Sequence, residues 1–151
     1  MINPNLFNWG DYSNLPIRER LSRFREVISY IRSILKAYQN IEDIQLPFLE
    51  RSLGEIKKGL EILDFVVNMI DPSLTKDDIR VVETSCPDAS TVYASLNNAA
   101  DLLRVAIRIR RLLQKSYDDQ LDLKYFGHLH ACENALNNVL YNMSPLDKAS
   151  P

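Results

Sequence analysis

Between Ile17 and Tyr38, apolar side chains return at alternating spacings of four and three: Ile17, Leu21, Phe24, Ile28, Ile31, Leu35 and Tyr38. This period sets all of them along one seam of an α-helix. A seam of that length is buried only against another helix lying lengthwise on it. Leu49, Leu53, Ile56, Leu60, Leu63, Val67 and Ile70 repeat the pattern. Two seams in succession, joined by the short stretch from Ile41 to Leu46, predict an antiparallel helical hairpin.

Two more helices follow. The third is expected from a cap at Asp88 or Ser90 to about Ser116. Its first half is small and polar (Ala89, Ala94, Asn97, Asn98, Ala99, Ala100), which lets a neighbour approach closely. Its second half carries a broad apolar band of Leu102, Val105, Ala106, Ile109, Leu112 and Leu113. The fourth opens on Asp118, Asp119 and Asp122, acids that suit the positive end of a helix dipole. Its core face is Tyr125, Phe126, Leu129, Cys132, Leu136, Val139, Leu140 and Met143.

Punctuation agrees with these bounds. The first helix is expected to start at Ser13 or Asn14, with Pro16 in its first turn, where a missing N–H costs nothing. Pro47 opens the second helix, and Asp71-Pro72 ends it, since a residue before proline is pushed out of the α region. Within 71–87, Thr75 and Asp78 have the spacing of a capping box and predict a short helix from Lys76 to Glu83, with Ile79 and Val82 inward. Gly54 and Gly59 each weaken the second helix by about 1 kcal/mol relative to alanine, so a close approach by another backbone is expected there.

The fold class is therefore all-α, an antiparallel four-helix bundle with helices near 16–39, 47–70, 88–116 and 118–143 and a short extra helix in the 71–87 connection. Residues 1–15 form an aromatic N-terminal arm, 16–143 one bundle domain, and 144–151 a frayed C-terminal tail. A chain of 151 residues with 46% hydrophobic content suffices for one such core.

A formal net charge of -2 gives no global attraction to nucleic acid or an anionic membrane. No apolar run reaches the ~18–20 residues of a membrane span. The N-terminal residues lack the basic and apolar regions of a secretory signal, so a cytoplasmic protein is expected. Two cysteines allow at most one bridge, and Cys132, set in an apolar helical pattern, is expected as a reduced, buried thiol.

Convergent chemistry is weak. His128 and Cys132 share a helix face while His130 points elsewhere, and Asp122 and Glu133 do not complete the three or four ligands that zinc needs. Cys86 precedes the third helix, where a dipole lowers a thiol pKa, but no base is set beside it. Glycine-rich phosphate loops are absent. No catalytic residue, cofactor or metal is expected, and no small-molecule substrate is evident.

Surface patterns carry more. The C-terminal half of the second helix has a second apolar set, Ile62, Phe65, Val66 and Met69, largely opposite its seam; either residues 73–87 or a second copy of the chain must cover it. In the arm, Leu6, Phe7, Trp9 and Tyr12 either lie across the bundle or serve as a docking peptide, with Phe7 and Trp9 as anchors. Arg18, Arg25, Arg32 and Lys36 share a face of the first helix, and Arg104, Arg108, Arg111 and Lys115 a face of the third, beside the apolar seams. Such stripes either lay their stems over the core and pair with acids, or contact a phosphate backbone or an acidic partner. The expected function is a non-enzymatic protein-interaction or assembly module, an adaptor or small subunit that self-associates or docks on a protein. The alternative is a small helical subunit that binds nucleic-acid backbone through the two arginine stripes.

Overall fold

The computed structural model describes residues 12, 14–37, 46–68 (side chains as far as 64) and 75–143. Among these residues the protein is all-helical, with five helices and no strand. They are α1 (Ile17–Ala37), α2 (Leu46–Asn68), α3 (Lys76–Ser85), α4 (Ala89–Lys115) and α5 (Asp119–Asn142). The expectations placed on Leu6, Phe7, Trp9, Tyr38, Met69, Ile70, Asp71-Pro72 and the tail fall outside the described residues, as do those on the side chains of Phe65, Val66 and Val67.

Local chemistry sets the ends. Pro16 lies at the mouth of α1, and its carbonyl accepts the Arg20 amide at 2.9 Å while the Arg20 Nε donates to the Leu15 carbonyl at 2.8 Å. Thr75 and Asp78 form the reciprocal capping box that their spacing predicts, so α3 is a helix rather than an extended segment. Asp88 caps α4 through the Thr91 amide, and Asp118 caps α5 through the amides of Gln120 and Leu121. Three orphan helix starts are thus satisfied by short side chains at their caps.

The seams lie inside. Ile17, Leu21, Phe24, Ile28, Ile31 and Leu35 are all buried on α1; on α2, Leu49, Ile56 and Leu63 are buried while Leu53 and Leu60 are half-buried. α4 packs most extensively on α5 and next on α2, whereas α1 meets α5, α2 and α3. Only residues 116–118 separate α4 from α5, and the Cys132 Sγ reaches the Ala99 carbonyl at 3.5 Å, so these two helices run antiparallel. Ala99, Ala100 and Ala106 are buried along α4, where small side chains let the neighbouring helices close in. α3 lies against both α1 and α2.

The two glycines of α2 differ. At Gly59 an added Cβ would fall on the buried Phe24 ring, so here a ring of α1, rather than a backbone, occupies the space a side chain would need. Gly54 is exposed, with nothing within 4 Å of an added Cβ. Gly54→Ala should therefore stabilise the fold by about 0.5–1 kcal/mol through helix propensity and unfolded-state entropy. Gly59→Ala should destabilise it by about 1–3 kcal/mol through overpacking. Urea denaturation reads both as midpoint shifts of opposite sign at constant slope.

Candidate interaction surface

The described interior holds few polar groups. Ser52 is satisfied locally, its Oγ donating to the Phe48 carbonyl at 2.8 Å. Glu55 is buried and accepts from two sides, from the Tyr12 hydroxyl at 3.0 Å and from the Lys58 Nζ at 3.1 Å. Lys58 also stands over the Tyr12 ring, 5.3 Å from its centre. Tyr12, 43 residues before Glu55, is thereby pinned on α2 by a charge-assisted hydrogen bond and a cation–π contact. Burial, reinforced by the neighbouring Glu55 carboxylate, pushes its hydroxyl pKa well above the ordinary value.

Neither thiol is activated. Cys86 is fully buried, and desolvation pushes its pKa from the ordinary 9.0 to about 11, against the lowering that a helix start would give. Cys132 is equally buried and is pushed up to about 12 by the same cause. His128 is half-buried, its Nδ1 2.7 Å from the Lys124 carbonyl, and His130 is exposed. Among the described residues, no three His, Cys, Asp or Glu side chains gather as metal ligands. An open recess of about 440 Å³ runs beside α1, lined by Leu15, Glu19, Ser22, Arg23 and Glu26. Among the described residues, no helix is long and apolar enough to cross a membrane.

The two basic stripes border different neighbours. On α1, Arg18 and Lys36 are exposed while Arg25 and Arg32 are half-buried, and the Arg32 Nη1 donates to Asn137 of α5 at 3.5 Å. On α4, the Arg111 Nη2 pairs with Glu50 of α2 at 2.8 Å and Arg104 pairs with Asp101 of its own helix. Arg108 and Lys115 are exposed and pair with none of the described residues. Exposed pairs of this kind contribute about 0–1 kcal/mol each.

Of the residues expected at a protein interface, Ile62 is buried in the chain's own core, while Phe7, Trp9, Phe65, Val66 and Met69 are outside what is described. The exposed large apolar side chains are elsewhere: Val105 (37% exposed) and Leu112 (47%) on α4, Tyr117 (64%) in the turn, and Leu123 (73%) and Tyr141 (79%) on α5. Val105 and Leu112 belong to the band expected in the core; α5 and α2 cover the other side of α4 and leave these two outside. A helical projection reveals Leu123, which lies about 160° round α5 from Tyr125, opposite the buried seam.

Below the turn, Tyr125 is fully buried, and Arg110 and Asp122 are close enough to act on its hydroxyl, lowering and raising its pKa respectively. Desolvation dominates and pushes it to about 12. Comparison of the chain with models of protein families, with curated proteins and with solved structures found no match.

The raised pKa values of Cys86, Cys132 and Tyr125 share one sign. Each group is held protonated in the fold and ionises sooner in the unfolded chain, so its contribution is complete below the unfolded value and lost as pH rises through the folded one. Stability should be flat through neutral pH and fall from about pH 9 toward pH 12. A thiol reagent at pH 8 should label neither cysteine in the native protein and both in urea; rapid native labelling would contradict the burial.

Proposed function

We propose that this protein is a non-enzymatic interaction module, a small helical-bundle subunit or adaptor that works by presenting a folded surface to another protein. The observation that carries this reading is the number of large apolar side chains left exposed on α4, α5 and the turn between them. Exposed Val105, Leu112, Tyr117 and Leu123 bring apolar surface to water at positions where polar residues would serve the fold equally well. The muted thiols and the lack of converging acids, bases or ligands among the described residues agree with a binding role rather than a catalytic one.

In this reading the long helices pack as an antiparallel four-helix bundle with α3 as the extra helix of the second connection. The neighbours of α4 and α1 are compatible with that packing. The two buried thiols suit a reducing compartment such as the cytoplasm. Nucleic-acid binding gains less support, because Arg104 and Arg111 are engaged by carboxylates and Arg32 is turned toward α5.

Size fractionation of a native cell extract tests the proposal, with the chain followed by antibody. The chain should elute well above its monomer mass, and nuclease digestion should leave the elution unchanged. Elution as a monomer would refute an interaction module. A nuclease-sensitive shift would transfer the function to the arginine stripes.

A further inference from the structure

Three buried polar atoms in the α4–α5 hairpin have no hydrogen-bond partner among the described residues: the Arg110 Nε, the Asp122 Oδ1 and the Tyr125 hydroxyl. Tyr125 is buried over its whole surface. The three belong to one place. Counted from Tyr117 in the connection, Arg110 lies seven residues back along α4, and Asp122 and Tyr125 lie five and eight residues forward along α5. In an antiparallel pair these counts set all three at a similar depth, about 10 Å below the turn. Side chains on a helix lean toward its N-terminus, so Arg110 leans away from the turn and Tyr125 toward it, and the two converge. Asp122 stands one helical turn from Tyr125 on the same side of α5. The hydroxyl feels both charges: beneath the dominant upward push of desolvation, Arg110 lowers the Tyr125 pKa and Asp122 raises it.

We propose that this cluster is a binding site for one water molecule, which bridges α4 to α5 by accepting from the Arg110 Nε, donating to the Asp122 Oδ1 and sharing a hydrogen bond with the Tyr125 hydroxyl. The ligand follows from the set of groups. A guanidinium N–H donates, a carboxylate oxygen accepts, and a phenolic hydroxyl does either. Water, with two protons to give and two lone pairs to accept with, satisfies all three at once, and a buried water typically makes about three such bonds. An anion would suit Arg110 and Tyr125 but would meet the Asp122 carboxylate, and a cation would meet the Arg110 guanidinium. Direct pairing of Arg110 with Asp122 would still leave the Tyr125 hydroxyl without a partner. Burying all three atoms unbonded inside a helix contact is unfavourable, and that cost is what draws the water in.

The bridge extends a chain of bonds that begins at the surface. The exposed Tyr117 hydroxyl donates to the Asp122 Oδ2 at 3.3 Å, and the water takes the other oxygen of the same carboxylate. Tyr117, Asp122, the water and Tyr125 then form one line from the turn to the interior, which Arg110 joins from α4. Asp118, as the cap of α5, fixes the helix start from which Asp122 and Tyr125 are presented. The water thereby holds the two helices in register at the level where polar atoms interrupt their apolar contact. The site does not depend on any partner that the outer surface binds.

A high-resolution crystal structure of the full chain tests this. One ordered water should lie within roughly 2.5–3.2 Å of the Arg110 Nε, the Asp122 Oδ1 and the Tyr125 hydroxyl oxygen together. Crystals grown in bromide should show no anomalous peak there, which separates water from a halide. Tyr125→Phe removes one bond of the bridge and adds no volume, so the urea midpoint should fall at constant slope. In an Asp122→Ala background, where the bridge has already lost its acceptor, the same substitution should lower the midpoint by less.

An Arg110 guanidinium bonded directly to Asp122, with no water against Tyr125, overturns the bridge, and so does a bromide signal at the site. A urea midpoint that rises or stays unchanged in Tyr125→Phe overturns it as well, because a buried hydroxyl without a partner is better removed. Equal effects of Tyr125→Phe with and without the Asp122 carboxylate would show that the two groups share no water, and the three-way site would fall.

Discussion

The packing of α4 between α5 and α2 is the constraint on which the rest of the structure depends. α4 is the longest helix, and its buried face is built from two kinds of residue. Leu96, Leu103 and Ile107 supply apolar area, while Ala99, Ala100 and Ala106 hold the axes close. Apolar burial stabilises at about 25 cal/mol per Å², but only when the surfaces meet. The alanines make that meeting possible. The contact of Cys132 Sγ with the Ala99 carbonyl marks the level at which α5 is drawn in. With two helices already on α4, α1 and α3 find their own apolar faces covered at the sides, α1 against α5 and α2, and α3 against α1 and α2.

That arrangement also determines what remains outside. Two neighbours cover only part of the circumference of a helix, so an apolar band wider than the part they cover is left partly in solvent. On α4 the band from Leu102 to Leu113 is broader than the groove offered by α5 and α2. Ala106, Ile109 and Leu113 go inward, Leu102 is half-covered, and Val105 and Leu112 are left in solvent. The exposed patch is thus a geometric consequence of a helix with more apolar surface than its own chain can cover. On α5, Leu123 and Tyr141 are exposed as well.

The helical layout was legible in the amino-acid sequence because period and side-chain size agree over long stretches. Ile17 through Leu35 has one solution that hides every large residue, and the capping pair Thr75 and Asp78 left α3 little choice. Other features rest on contacts between distant positions, which no local pattern encodes. Gly54 and Gly59 look alike in sequence, yet only the second faces Phe24. Tyr12 sits in a stretch without any period, and its burial depends on Glu55, a carboxylate on the core side of α2. The arginines of α1 and α4 read as two equivalent stripes. Folding separates them, since Arg32 reaches α5 while Arg111 reaches α2. The surface expected from Ile62 proved to be interior at that residue, and large apolar side chains are exposed instead along α4 and α5 and at Tyr117.

The chemistry of the interior bears on where function can reside. A reactive centre needs groups whose pKa values are moved toward neutrality and which converge on one space. Here burial acts in the opposite direction. Cys86, Cys132 and Tyr125 are driven away from neutrality toward their protonated forms, chiefly by desolvation. The one buried carboxylate described, Glu55, accepts one hydrogen bond at each oxygen, from Tyr12 and from Lys58, and fixes the approach to α1. Ser52 and Glu55, polar side chains of the interior, are thus bonded to their neighbours and hold positions within the fold. Among the described residues, the large apolar side chains that this packing leaves exposed are Val105, Leu112, Tyr117, Leu123 and Tyr141.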